Sequence, residues 1–212
     1  MILEAVKGKR VADLPTENAG EIYRKFGAAI ARFHDISPPE TLPHFKRLDA
    51  ERFPQILQII KTARPDVASQ AEKLCKKLIA FAFDEEPKVC LHGDVHAKNA
   101  IWHDGDLMLI DLDQVSNGNA ACNIGSFLAG LHYKECTGQM TKRTRPEIAG
   151  NFLAGYAEIR ALPTEKSLIW HTAAALFAER ALRAVSRVRV GGLSNFGAIL
   201  TRSENILRGG DL

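Results

Sequence analysis

The sequence predicts an α+β fold that is mostly helical, with one small β-hairpin near its middle. Apolar residues recur at helical spacing on both sides of a central segment, 88–113, and short apolar runs fill that segment. An Asp-Gly dipeptide, Asp104-Gly105, lies between two of these runs. The 212 residues are enough to bury a hydrophobic core, and 46% apolar with 25% charged residues is typical of globular proteins.

The N-terminal part predicts a short strand followed by an amphipathic helix. An apolar run at 2–6 favours a strand that ends at 7–9. The helix begins at Asn18, where Asn18 and Glu21 resemble a capping box, and apolar residues at spacings of three and four continue to His34.

Helices are also predicted on both sides of the central segment. A proline-rich connection, 36–43, precedes helical patterns at 52–62 and 67–83. After Gly125 the chain returns to helix, with a further helix at 148–159 and a long one at 164–188.

The central segment predicts strands that end in a hairpin. Apolar runs lie at 89–91, 100–102 and 107–110, and residues 103–106 join the last two. An Asp-Gly pair between apolar runs is a strong hairpin signal. The hairpin would fold residue 111 back towards residue 99.

A polar motif lies between these strands. His92, Asp94 and Asn99 have the spacing H-x-D-x-x-x-x-N, which is the spacing of the protein-kinase catalytic loop, and Asp111 and Asp113 follow the last strand. Phosphoryl transfer uses such residues, because a carboxylate can accept the proton of the attacking hydroxyl and oxygen ligands can hold Mg²⁺. Asp94 is the candidate for the first role.

Asn99 and Asp111 are the candidate magnesium ligands. Asp113 is either a further metal ligand or a loop cap. Loop Asp and Asn residues also occur simply as turn or cap residues. His92 is better explained as a packed, hydrogen-bonded histidine, and His96 fits either interpretation.

A metal-dependent hydrolase is a further alternative, with a site built from His92, Asp94, His96 and His103. Such a site needs several ligands converging on one ion. This alternative leaves the spacing of Asn99 and Asp111 unexplained.

The motif His92-Gly93-Asp94-x-His96-x-x-Asn99, followed by Ile110-Asp111-x-Asp113, resembles the signature of the aminoglycoside phosphotransferase and choline kinase family. The resemblance extends to 2–8, similar to that family's hinge between lobes, and to 31–34, similar to its first C-lobe helix. It implies a protein-kinase-like fold and ATP as phosphoryl donor. It also implies Asp94 as catalytic base and Asn99 and Asp111 as Mg²⁺ ligands.

Two departures from the family accompany this resemblance. Asn119 and Asn123 stand where the family usually has acidic residues, and Asn123 matches a position that buttresses the catalytic loop. The chain also begins at the hinge, so an N-terminal lobe is expected to be absent. The expected organisation is one C-lobe domain, 1–212, with a hinge strand at 1–8, helices at 18–83, the catalytic loop and metal-binding hairpin at 88–113, and helices at 120–212.

The expected function is ATP-dependent phosphoryl transfer to the hydroxyl of a small metabolite or antibiotic. The alternative is a truncated, catalytically inactive module that binds nucleotide or another protein. The exposed hinge face, with Ile2, Leu3 and Val6, suggests self-association or an N-lobe partner. No nucleic acid is expected, since basic residues are not interleaved with aromatics in a recognition motif.

Neither a membrane nor a secretory location is expected. No apolar stretch approaches the roughly 20 residues of a membrane span, and Glu4 interrupts the N-terminal apolar run. The four cysteines are scattered without a Cys-x-x-Cys pair, which favours idle thiols. These features predict a cytoplasmic protein.

The net charge of +3 is uneven, because residues 142–212 hold eleven Lys and Arg but six Asp and Glu. A solvated helix face is the simplest explanation. The family resemblance, however, places the substrate side at the C-terminal helices. Since polycationic aminoglycosides need an acidic wall, the basic region favours a neutral or anionic hydroxyl substrate.

Overall fold

The computed structural model describes residues 7–14, 19–82, 87–210 and 212. Helices account for most of them: α1 (Ala19–His34), α2 (Phe53–Ala63), α3 (Ala68–Ala80), α4 (Ala120–Cys136), α5 (Thr144–Ala157), α6 (Glu165–Ala175), α7 (Leu182–Ser186), α8 (Val190–Ser194) and α9 (Phe196–Leu207). The strands are short: β1 (Lys9–Arg10), β2 (Lys88–Leu91), β3 (Ala100–His103), β4 (Asp106–Leu109) and β5 (Ser116–Asn119). The predicted mostly helical α+β class is confirmed.

The predicted hairpin is β3–β4. The strands pair antiparallel from Ala100 opposite Leu109 to His103 opposite Asp106. Asp104 and Gly105 both have positive φ, 49° and 87°. A type I′ turn requires this at both central positions, which explains why the Asp-Gly pair was a reliable signal.

The described residues form two small sheets instead of a hairpin alone. β1 adds to the other edge of β3, with Lys9 opposite Trp102, so one sheet has the order β1-β3-β4. The other sheet pairs β2 with β5 antiparallel, with Leu91 opposite Ser116. The sequence of β5, Ser-Asn-Gly-Asn, contains no residue of high strand propensity, so the prediction missed it.

The N-terminal prediction needs one correction. Residues 1–6 of the expected hinge strand lie outside the described residues, and so does the predicted cap Asn18. The strand was expected to end within 7–9, but β1 begins at Lys9. α1 follows the prediction through to His34.

Two helices in the second half differ from the prediction. α4 begins at Ala120, ahead of Gly125, because the Asn119 side chain caps it by accepting the Ala121 N–H at 2.8 Å. Gly125 lies inside α4, where a Cβ would be 2.7 Å from the carbonyl carbon of His171 on α6. The long helix predicted at 164–188 is interrupted by a π-helical segment, Leu176–Ala181, between α6 and α7.

The core consists of two clusters of buried side chains. In one, α2, α3, α6 and α9 pack together around aromatic residues that include Phe53, Trp170 and Phe177. In the other, α1, α4 and α5 meet through Phe127 and Phe152, whose stacked rings lie 4.1 Å apart between centroids. The central helix α4 contributes to both clusters and therefore fixes the strands that precede it.

Close packing of α1 on α5 depends on glycine. A Cβ on Gly27 would lie 1.9 Å from the Phe152 oxygen, and a Cβ on Gly155 would lie 1.8 Å from the Arg24 oxygen. Only hydrogen fits at these positions. Within the part of the chain that the structure describes, no helix has the length and apolarity needed to span a bilayer.

Candidate active site

The loop His92–Asn99 connects β2 to β3 and carries the polar motif. Val95 and Ala97 are buried and anchor it in the core beside α1 and α4. Gly93 has φ of +82°, and a Cβ there would lie 1.9 Å from the Gln114 oxygen. The loop is therefore held tightly against the chain that follows β4.

His92 joins the two halves of the motif. Its Nε2–H donates to the Ile110 oxygen at 3.0 Å, and its Nδ1 accepts the Asp94 N–H at 3.4 Å. Burial lowers the pKa of this imidazole, which favours the neutral form that these two bonds require. His92 thus links Asp94 to the residue that precedes Asp111, as expected of a packed, hydrogen-bonded histidine.

Asn123 on α4 supports this loop from behind. Its side-chain oxygen accepts the His92 backbone N–H at 2.9 Å and the His34 Nε2–H at 3.2 Å. The Tyr156 hydroxyl donates to His34 Nδ1 at 2.9 Å. Burial lowers the pKa of His34 to about 4, so His34 is neutral. An amide at residue 123 thus provides the acceptor without a buried charge.

Asn99 ends the loop with its side chain in a fixed orientation. Its Nδ2 donates to the Asp94 carbonyl oxygen at 3.0 Å, and its own carbonyl oxygen accepts the Ile110 N–H at 3.0 Å. Asn99 is only 6% exposed. Among the described residues, no hydrogen bond engages its side-chain oxygen, which remains available as an oxygen ligand.

Asp111 and Asp113 follow β4 and are both exposed. Asp111 has φ of +63°, a left-handed conformation that non-glycine residues adopt rarely and often at functional sites. Neither carboxylate forms an ion pair or hydrogen bond with another described side chain. Both are free to bind a cation.

The described residues do not form the metal site that the hydrolase alternative requires. The described residues bring together no three His, Cys, Asp or Glu side chains suited to hold a metal ion. The His92 side chain is hydrogen-bonded to backbone groups. The Nε2 atom of His103, at the end of β3, lies 3.5 Å from Asp104 Oδ2.

The Asp94 carboxylate is surrounded by basic side chains. Its Oδ2 lies 3.4 Å from His96 Nε2, and its Oδ1 lies 3.6 Å from Arg47 and 3.8 Å from Arg183. Burial acts to raise the pKa of Asp94, but the His96 hydrogen bond and the charges of His96, Arg47 and Arg183 outweigh it and hold this pKa well below the ordinary value. Asp94 is therefore ionised at neutral pH.

Arg47 and Glu179 also belong to this site, and the sequence motif did not include them. Glu179 on the π segment is 2% exposed, lies 3.5 Å from Arg47, and accepts the Ser126 hydroxyl at 2.6 Å. One signal could have identified it, because Glu179 is the single carboxylate between Lys166 and Ser203. Arg47 had no comparable signal.

A cavity of about 310 Å³ opens beside Asp94, and Asn99, Asp111 and Asp113 are not among its lining residues. Apolar groups of α1 and α4, including Tyr23, Phe127 and Leu131, form part of its lining. The rest is strongly basic, and we call its cationic side chains the cationic wall: Lys98, Lys134, Arg180, Arg183, Arg187 and Arg189.

Residues 1–162 match the sequence model of the Phosphotransferase enzyme family (APH). The chain belongs to this family. The match includes the His92–Asn99 loop and both aspartates after β4, so the family assignment covers the motif and its structural frame. No curated protein sequence matches the chain.

Solved structures of several phosphotransferases and kinases share its fold. An aminoglycoside-3′-phosphotransferase of type VIII is 19% identical, with a TM-score of 0.57, over 80% of this chain and 65% of that protein. An amicoumacin kinase in complex with AMP-PNP, Ca²⁺ and Ami is 14% identical, with a TM-score of 0.58, over 97% and 64%. Choline kinase from Cryptosporidium parvum is 11% identical, with a TM-score of 0.64, over 97% and 70%.

The chain therefore spans slightly less than two thirds of the length of the first two of these structures. The family match and the shared fold therefore place the chain in the Phosphotransferase enzyme family, with the fold of an aminoglycoside phosphotransferase and of choline kinase.

Proposed function

We propose that the chain contributes the hydroxyl-activating and metal-binding groups of an ATP-dependent phosphotransferase that acts on an alcohol group of a small molecule. The observation that carries this proposal is the His92 side chain, which bonds both to Asp94 and to the residue before Asp111. One neutral imidazole thereby couples the position suited to activate a hydroxyl with the position suited to hold a cation.

Asp94 is the group that receives the acceptor hydroxyl. The acceptor oxygen forms the new bond to the γ-phosphorus, the bond from that phosphorus to the β–γ bridging oxygen breaks, and ADP leaves. The hydroxyl proton passes to an Asp94 carboxylate oxygen and then to solvent. The low pKa keeps Asp94 ionised and able to accept this proton, and a weak base can serve because phosphoryl transfer has a loose transition state and depends mainly on positioning.

The side chains at the end of the motif fit a magnesium ion. Asn99 offers an amide oxygen, and Asp111 and Asp113 offer free carboxylates, which is the oxygen donor set that Mg²⁺ prefers. When bound, the ion would neutralise charge on the nucleotide phosphates. In this proposal Asn99 and Asp111 bind Mg²⁺ and the nucleotide, and Asp113 adds a further carboxylate.

Two substitutions test this division of roles. Asp111→Ala should abolish magnesium-dependent ATP binding, measured by calorimetry, because it removes the main anionic ligand. Asp94→Asn should leave ATP binding nearly intact and lower transfer from [γ-³²P]ATP by on the order of 10²–10⁴, the usual range for a positioned base.

The matched control is Asp106→Asn, which neutralises an exposed carboxylate at the start of β4 and should change neither measurement. Full transfer activity in Asp94→Asn would contradict the role of Asp94. ATP binding without any transfer in the unsubstituted protein would instead favour an inactive nucleotide-binding module.

A further inference from the structure

We propose that the phosphoryl acceptor carries an anionic group, a carboxylate or a phosphate, which binds the cationic wall of the cavity beside Asp94. This inference rests on the proposed function and narrows its substrate class. The reacting hydroxyl would face Asp94, and the anionic group would face the arginines and lysines.

The charge of the cavity favours an anionic ligand. The cationic wall contributes six basic side chains, whereas Asp94 is the single carboxylate among the described residues that line the cavity. A polycationic or cationic acceptor would be repelled by these six side chains. An anionic acceptor would find several donors, and arginine is well suited to bind carboxylate or phosphate through paired N–H groups.

Most side chains of the cationic wall also lack a carboxylate partner in the described part of the chain. Among the described residues, no carboxylate lies within ion-pair distance of Lys98, Lys134, Arg187 or Arg189. Some basic residues elsewhere in the C-terminal third are paired, including Arg202 with Glu135 at 2.6 Å and Arg208 with Glu204 at 2.7 Å. The cavity therefore brings together four cations that have no counter-charge among the described residues.

Lys134 lies close to other cations of the wall, which also favours an anionic ligand. Burial, together with the charges of Lys98 and Arg180, lowers the pKa of this ammonium group. The Nε atom of Arg180 is buried without a hydrogen-bond partner in the described part of the chain. A bound anion would reduce the repulsion and offer acceptors to such donors.

The backbone between Arg187 and Arg189 has an unusual conformation. Val188 has φ of +47°, which is unusual for a β-branched residue, and it lies between Arg187 and Arg189. The Arg189 N–H bonds to the Ala184 oxygen at 2.9 Å and the Val188 N–H to the Val185 oxygen at 3.3 Å, a Schellman motif. Glycine would normally occupy such a position, so strain is retained where the chain presents both arginines to the cavity.

The test compares four sugars that share one ring size and differ in charge: glucose 6-phosphate, glucuronate, glucose and glucosamine. Calorimetry of the full chain should detect binding of the two anionic sugars and weaker or no binding of glucose and glucosamine. Binding of both anions identifies a general anion site, and binding of glucose 6-phosphate alone identifies a phosphate site.

Variants connect this binding to the cationic wall. The double variant Arg187→Ala with Arg189→Ala should weaken binding of the preferred anion by on the order of tenfold or more. Arg187→Lys with Arg189→Lys should recover part of the loss. The matched control Arg32→Ala removes an exposed arginine of α1 that does not line the cavity and should change nothing.

The outcomes separate this inference from the proposed function. Equal binding of all four sugars, or a loss of MgATP affinity in the double variant as large as the loss for the anion, would overturn the anionic acceptor. Anion binding that depends on Arg187 and Arg189 would support an anion site at the cationic wall even if MgATP gave no transfer, in which case the proposed function fails and the site remains.

Discussion

The Asn123 side-chain oxygen accepts the backbone N–H of His92 at 2.9 Å, so helix α4 holds the first residue of the loop that carries Asp94. The same oxygen accepts the ring N–H of His34 from α1. Three separate segments therefore meet at one amide oxygen. The loop geometry depends on an acceptor at residue 123 more than on a charge there.

Substitutions at Asn123 should separate these two properties. Asn123→Asp keeps the acceptor and adds a charge, so it should raise the pKa of His34 from about 4, as followed by NMR titration. Asn123→Leu leaves two buried donors unsatisfied and should lower the free energy of unfolding by roughly 2–4 kcal/mol in urea. An unchanged His34 pKa in Asn123→Asp would contradict the observed contact.

The contact between α1 and α5 should tolerate no side chain at Gly155. Gly155→Ala forces a methyl group against the Arg24 oxygen and should lower the free energy of unfolding by about 1–3 kcal/mol. The matched control is Gly150→Ala on the same helix, where no atom lies within 4 Å of the added Cβ. That change should stabilise the protein by roughly 0.5–1 kcal/mol.

Acid should destabilise the protein through His132. This residue is 1% exposed, and burial followed by the charges of Arg145 and Arg202 lowers its pKa to about 3. The pKa of His132 is lower in the folded state than in the unfolded state, where it is about 6.5. Neutral His132 therefore makes its full contribution to the free energy of unfolding above pH 6.5, and this contribution is lost as pH falls. Between pH 7 and pH 5 this loss is about 2 kcal/mol in the free energy of unfolding.

The variant His132→Leu should therefore reduce the pH dependence of unfolding over that interval by a similar amount. His103→Leu, which removes a half-exposed histidine at the end of β3, is the matched control. Urea titrations at pH 7, 6 and 5 provide the measurement. Parallel pH profiles for His132→Leu and the unsubstituted protein would contradict this prediction, because they would show that folding does not lower the pKa of His132.

The left-handed backbone at Val188 should be relieved by glycine. Val188 is 71% exposed, so Val188→Gly loses little burial and should raise the free energy of unfolding by roughly 1 kcal/mol. The control Val190→Gly, at the similarly exposed start of α8, should instead destabilise by up to about 1 kcal/mol. A melting temperature that falls in both variants would argue against strain at Val188.

Local signals in the sequence were sufficient for much of the frame around the motif. The Asp104-Gly105 turn and the flanking apolar runs predicted β3 and β4 within one residue at each end. Helical spacing predicted α1, since its buried face packs on α4 and α5. These elements could be predicted because each is specified by its own residues.

The missed features depend on contacts between distant segments. β5 forms because Leu91 and its neighbours pair with it, although Ser-Asn-Gly-Asn has little strand propensity of its own. Arg47 reaches Asp94 and Glu179 from a loop without regular structure, at 3.6 Å and 3.5 Å. No local pattern in the sequence encodes such a meeting.

The π-helical segment Leu176–Ala181 also determines which way α7 faces. An α-helix turns by about 100° per residue, and a π turn accommodates one residue more than an α turn. If the same residues formed a regular α-helix instead, Arg183 and Arg187 would be rotated by about 100° around the helix axis, away from Asp94. The angular setting of the cavity arginines is thus controlled by the number of residues in this turn as well as by their identity.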